Sequence, residues 1–273
     1  MKTFAEQKAF FEANWPALRE AVESGGAPAV ISYIKGLEDD LERRVLFVMA
    51  RMGLVMGEWK DKSFDPYIEV CDAGINEMLA QARSTGDEGE RAKRINGAHI
   101  ISYNLAADLA DCWPGDEDPR TPEHFERGLK AAEDCLGWCA PTMIDGLSMD
   151  WWVRGMHQLS LGQRTGAHAS WEKSLEYAQQ SAKAQGATEE VNVEAAFSII
   201  LGSGYVGLIK AILGKEGGFE QFEQAIGVFT SQMPDENLRG DATFGIAQLQ
   251  CVQGKYLKAT PPGLDTGEEA AKA

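Results

Sequence analysis

Basic residues are scarce in this 273-residue chain: 26 Lys+Arg stand against 42 Asp+Glu, a formal net charge of −16. That balance argues against nucleic acid as a partner, because phosphate binding draws on Lys/Arg patches. Cysteine is scarce too. The five present (Cys71, Cys112, Cys135, Cys139 and Cys251) are odd in number and too sparse for a disulfide framework. Long apolar runs are missing: none approaches the ~20 residues of a membrane span, and the longest, Val45 to Met56, is broken by Arg51. Met1 to Trp15 is amphipathic and charged, with no apolar h-region and no small-residue cleavage site, so no signal peptide is expected. The expectation is a reduced cytoplasmic protein with no membrane partner. Hairpin signals are lacking as well, since Asn96-Gly97 lies inside a helical pattern and Asp145-Gly146 in a loop before one.

The catalytic motifs are also absent. There is no HExxH, no ExxH at His99, His124, His157 or His168, no Walker A, no GxSxG and no GxGxxG after a strand. Gly202-Ser203-Gly204 sits in an apolar helical stretch and reads as a packing notch. Cys135 and Cys139 share a helix face and suit a metal or a disulfide, but nothing is placed to complete a site, and burial is the plainer reading. Asp108 and Asp111 lack a full DDxxD and read as a solvated helix end. Glu38-Asp39-Asp40 belongs at a helix start, where acids meet the positive dipole end. His157 and His168 are either pH-sensitive contacts or ordinary surface or core histidines. Trp113, Trp138, Trp151 and Trp152 are either core fillers or recognition residues. No catalytic residue, cofactor or metal is assigned. Catalysis is left open, and a non-catalytic role is the main reading.

What is present is helix signal. Thr3 with Glu6 makes a capping box, Asn14 before Trp15-Pro16 can cap a second helix, and Pro28 suits the first turn of a third. Leu41, Val45, Val48, Met49, Met52 and Val55 form a helical stripe. Asp65-Pro66 reads as a cap with an N1 proline, opening a helix through Ile75 and Ala82. Further helices are expected over about 90–112, 121–139, 148–162, 165–184, 189–213, 219–232 and 236–254, before an acidic tail at 258–273. The chain is all-α.

The 29 glycines exceed the usual share of about 7%, and their spacing is ordered. Gly155 and Gly162 are seven apart, as are Gly207 and Gly214; Ala50–Gly57 and Ala247–Gly254 show the same small-x6-Gly spacing. A small residue in mid-helix admits a close neighbour, and a glycine at the helix end takes positive φ. Trp59 and Tyr256 follow two of these glycines. After Gly162 come Ala167, Trp171 and Ser174, and after Gly214 come Gly218, Phe222 and Ala225. This pattern resembles the tetratricopeptide repeat (TPR) family, with units at about 148–181 and 200–232, a half-unit from Ala247 to Ala259 and a degenerate unit around Leu46 to Trp59. The 90–140 stretch carries no signature, and the units are spaced more widely than the family's ~34 residues. An irregular helical bundle with glycines at helix ends is the alternative.

The resemblance implies antiparallel helical hairpins stacked as a TPR-like right-handed α-solenoid over 37–257. Residues 1–36 would be N-terminal helices packing on or capping it. It implies a largely apolar concave groove containing Arg44, Phe47, Arg51, Trp152, Met156, Leu159, Leu208, Phe244 and Gln248. The Lys/Asn carboxylate clamp of some family members is missing. A large apolar face needs a cover, which points to a protein or peptide partner with apolar anchor residues and so to an interaction scaffold or adaptor. Two readings stay beside it: a helical enclosure around a small apolar or anionic ligand, and a homodimer through the repeat face or an uncapped end.

Overall fold

The computed structural model describes residues 3–138 and 144–257. Among these there are ten α-helices, a π-helical turn at Gln253–Leu257 and no strand. The chain divides into two compact units, one of Met1–Ala110 with Arg120–Thr142 and one of Asp111–Pro119 with Met143–Ala273. That division falls inside the 37–257 segment. The acidic tail at 258–273 and Cys139 lie outside the described residues. No described helix is long and apolar enough to cross a membrane.

The first unit holds α1 (Phe4–Lys35), α2 (Asp40–Leu54), α3 (Phe64–Ser84), α4 (Glu88–Leu109) and α5 (Pro122–Trp138). Each helix packs on the next, and α1 also touches α3 as α2 touches α4. The capping box at Thr3 and Glu6 forms in both directions. Asp39 caps α2 through the amides of Leu41 and Glu42. Asn14, by contrast, caps nothing. Its Nδ2 donates to the Phe10 carbonyl at 2.8 Å and its Oδ1 accepts from Tyr33 Oη at 2.7 Å, within one helix that runs through Pro16. The real break in α1 is Gly26, at φ 63°, with Pro28 in the turn that follows. The third helix begins at Phe64, one residue before the expected Asp65 cap.

The second unit holds α6 (Ile144–Ser160), α7 (Arg164–Ala184), α8 (Phe197–Ile212), α9 (Gly218–Gln232) and α10 (Arg239–Val252). Here too each packs on the next, and α8 also meets α10. The expected helix at 189 starts only at Phe197, because an Asx turn at Asn192 holds the preceding chain: the Glu194 amide donates to Asn192 Oδ1 at 2.9 Å. Gly155 and Gly207 sit where neighbours press closest. A Cβ on Gly155 would lie 2.3 Å from Trp171 Nε1, and one on Gly207 would lie 2.4 Å from the Phe222 amide nitrogen. Gly162 and Gly214 end their helices at positive φ, whereas Gly57 and Gly254 do not. The early unit instead makes its close contact at Gly53, where a Cβ would fall inside the Trp15 ring.

His168 on α7 is buried beside Lys215. Loss of water holds its pKa below the ordinary 6.5, opposed by Glu172 and aided by Lys215 and Lys210. The unfolded chain therefore binds the proton more readily, so stability falls as pH drops through about 6.5 and levels off below the lowered value. Urea unfolding of His168→Gln between pH 7.5 and 5 is expected to show a shallower decline than the parent; identical slopes would refute this.

Candidate functional site

In the second unit a short segment, 111–119, is pinned to α10. Lys255 pairs with Asp111, Gln248 Nε2 donates to Cys112 Sγ at 3.6 Å, and Cys251 Sγ donates to the Trp113 carbonyl at 3.8 Å. These side chains recur along one side of α10 and its π-helical extension. The pinning presents Trp113, which stacks on Phe244 (centroids 6.2 Å, 28°) and meets Trp152 edge-on at 5.9 Å. The aromatic chain continues inward through Tyr205 to Trp171. On the other side of Phe244 it runs to Phe197 and Phe229. Such offset and edge-on pairs contribute beyond their buried area, about 0.5–1.5 kcal/mol each.

Above this aromatic floor lies an open cleft of about 590 Å³, lined by Pro114, Glu236, Arg239, Thr243, Phe244 and Ala247. Phe244 remains 40% exposed. Met233 and Leu238, in the turn before α10, are exposed as well. Arg239 is tied to that turn through the carbonyls of Met233 and Pro234, so its charge stands at the rim. The cleft thus offers an apolar floor with one cation and one anion at its edge. Beneath it, Trp152 Nε1, Tyr205 Oη and Gln248 Oε1 are buried and complete no hydrogen bond. Burial, with Cys112 nearby, pushes the Tyr205 phenol well above its usual range, so it stays neutral and able to donate.

The residues expected on one concave face are divided. Phe244 and the half-buried Trp152 belong to the aromatic chain. Met156, Leu159, Leu208 and Gln248 are buried within the second unit, and Phe47 within the first. These five are packing residues rather than lining of an open groove. The reason is plainest for α8, whose residues from Ile199 to Ile209, Leu201 excepted, are all buried, so no face of it is left for a partner. Sequence reasoning passes over Pro114, Glu236 and Arg239. No pattern signals them, because the cleft exists only once 111–119 is laid against α10.

In the first unit Arg44, Phe47 and Arg51 line α2. Arg51 grips Asp108 with two bonds, Nε to Oδ2 at 2.6 Å and Nη2 to Oδ1 at 2.7 Å. Tyr67 Oη also donates to Asp108, at 3.0 Å. Asp108 is only 5% exposed, so the expected solvated helix end is corrected at this residue to a buried ion pair. The bonded carboxylate raises the Arg51 pKa further despite partial burial. Tyr67 is pushed well above its ordinary value, by burial first and then by Cys71 and Asp108. Arg120 donates to the Asp108 carbonyl and lies 4.7 Å above the Phe64 ring. Cys135 is fully buried, with Sγ donating to the His99 carbonyl. No family model matches the chain, and no curated protein or solved structure is significantly similar to it.

Proposed function

We propose that this chain is a non-catalytic interaction scaffold that captures an apolar anchor of a protein or peptide in the cleft beside Phe244. The observation that carries the reading is the half-exposed Phe244, stacked on Trp113 as the floor of an open cleft with Arg239 and Glu236 at its edge. Aromatic anchors seated in well-packed surroundings dominate binding energies, and this floor is held rigid from below by Trp152 and Tyr205. The family reading belongs here too: each unit is a short stack of TPR-like hairpins of right-handed sense. Support comes from contacts between each helix and its next neighbour but one, and from Gly155 and Gly207 at the closest approaches. A cytoplasmic setting agrees with the free, buried Cys71, Cys112 and Cys135.

A second reading, enclosure of a small ligand, is favoured by one observation: the buried and unpartnered Trp152 Nε1, Tyr205 Oη and Gln248 Oε1. Such groups ordinarily find a water or a ligand.

A random peptide library panned against the full chain tests the scaffold reading. Enriched peptides are expected to share an aromatic or aliphatic anchor, and Phe244→Ala to weaken them about tenfold or more, as for a binding hot spot. Phe4→Ala, equally exposed but remote in sequence, leaves binding unchanged. No enrichment, or equal affinity for Phe244→Ala, overturns the proposal.

A further inference from the structure

Arg44 stands apart among the arginines of the first unit. Arg43 pairs with Glu77 and Asp40, Arg51 with Asp108, Arg94 with Glu90 and Arg127 with Asp72. No carboxylate of the described residues comes within ion-pair distance of Arg44, in a chain with 42 of them. Its one hydrogen-bond partner is neutral: Nη1 donates to Gln81 Oε1. Gln81 is buried, and its Nε2 is held by Glu77 at 2.7 Å, so its carbonyl oxygen is turned toward Arg44.

The charge that does face Arg44 is another cation. Arg94, on α4, lowers the pKa of Arg44 together with burial, which is the larger cause, while Asp39, Asp40 and Glu90 act against them from further off. Arg94 is itself short of acceptors: its side chain is 16% exposed and its Nε is buried with no partner. Two half-buried guanidinium groups from α2 and α4 therefore face one another across a neutral amide from α3. Like charges so placed repel, and the arrangement is stable when an anion lies between them.

We propose that Arg44 and Arg94 form a carboxylate-binding site in the first unit, with the Gln81 amide as its fixed wall. The fork geometry of guanidinium suits the two oxygens of a carboxylate. Charge decides between carboxylate and phosphate. Glu90 already offsets one of the two cations, leaving a single positive charge for a single negative one, and Asp39 and Asp40 disfavour a dianion. The site differs from the Phe244 cleft in unit, in chemistry and in residues, and it stands whether or not that cleft binds peptides.

The test is a titration of the full chain with propionate, followed by saturation-transfer NMR at ionic strength held constant with chloride. Saturable binding is expected for the parent and for Arg19→Gln, whose guanidinium lies in an exposed helical pair. Arg44→Gln is expected to weaken it at least about tenfold, and Arg44→Lys, which keeps the charge and loses the fork, to fall between. Should Arg44→Gln fail to fold, Arg94→Gln carries the same reading. A tripeptide with a free C-terminus, set against its amidated form, distinguishes the sources. Tighter binding than propionate assigns the site to a chain terminus, and equal binding assigns it to a small carboxylate. Absence of propionate binding, unchanged binding in Arg44→Gln, or tighter binding of hydrogen phosphate than of propionate overturns the proposal.

Discussion

Asp108→Ala is expected to destabilise the first unit by about 3 kcal/mol, the lower end of the ~3–5 kcal/mol that follows removal of one partner from a buried ion pair. Three groups lose an acceptor at once: Nε and Nη2 of Arg51 and the phenol of Tyr67. Tyr67 is 1% exposed and cannot turn to water. Arg51, at 33% side-chain exposure, regains part of its hydration, which is why the lower end applies. The pair as a whole stabilises less than this loss suggests, since both charges gave up water to form it. Arg51→Met combined with Asp108→Leu is therefore expected to recover most of the loss that either single change causes. Guanidinium unfolding followed by near-ultraviolet circular dichroism measures both. A drop below about 1 kcal/mol for Asp108→Ala would show that the pair is effectively solvated.

The second large effect is expected at Gly207. A methyl group there would sit 2.4 Å from the Phe222 nitrogen and 2.9 Å from the Gln221 carbonyl carbon and the Gly218 oxygen, all main-chain atoms of α9. Side chains can rotate away from an intruder, but a packed helix must move as a body. Overpacking ordinarily costs about 1–3 kcal/mol, and Gly207→Ala belongs at or above the top of that range. Gly155→Ala meets a side chain instead, but Trp171 is fully buried and its Nε1 donates to the Trp152 carbonyl at 3.1 Å, so its escape is blocked too. Gly227, in the middle of α9, has nothing within 4 Å of the methyl group that alanine would add. Gly227→Ala is expected to stabilise by about 0.5–1 kcal/mol through reduced backbone entropy of the unfolded chain. Urea melts of the three variants distinguish close approach from propensity, because propensity alone would make all three more stable.

These glycines are legible in the sequence because a close helix contact and a helix stop each demand one residue type. The seven-residue spacing marks both in α6 and in α8. The same spacing misleads at Gly57 and Gly254, where no positive φ is needed, and it misses Gly53, whose role depends on Trp15 arriving from α1. Asn14 misleads for a similar reason. An asparagine before a proline looks like a cap, but Tyr33, 19 residues away, supplies the partner that keeps it inside the helix.

The candidate sites divide along the same line. Helical content, the capping residues at Thr3 and Asp39 and the contact positions on α6 and α8 follow from local chemistry, which sequence carries in full. Arg44 and Arg51 are two helical turns apart on one face of α2 and look alike in the sequence. Packing against α4 brings a second guanidinium to Arg44 and a buried carboxylate to Arg51, so Arg51 is neutralised and Arg44 is left in need of an anion. Phe244 likewise becomes the floor of a cleft only because residues 111–119 lie on α10. Which charge is answered and which ring is left open depends on neighbours distant in the chain, and tertiary packing alone chooses those neighbours.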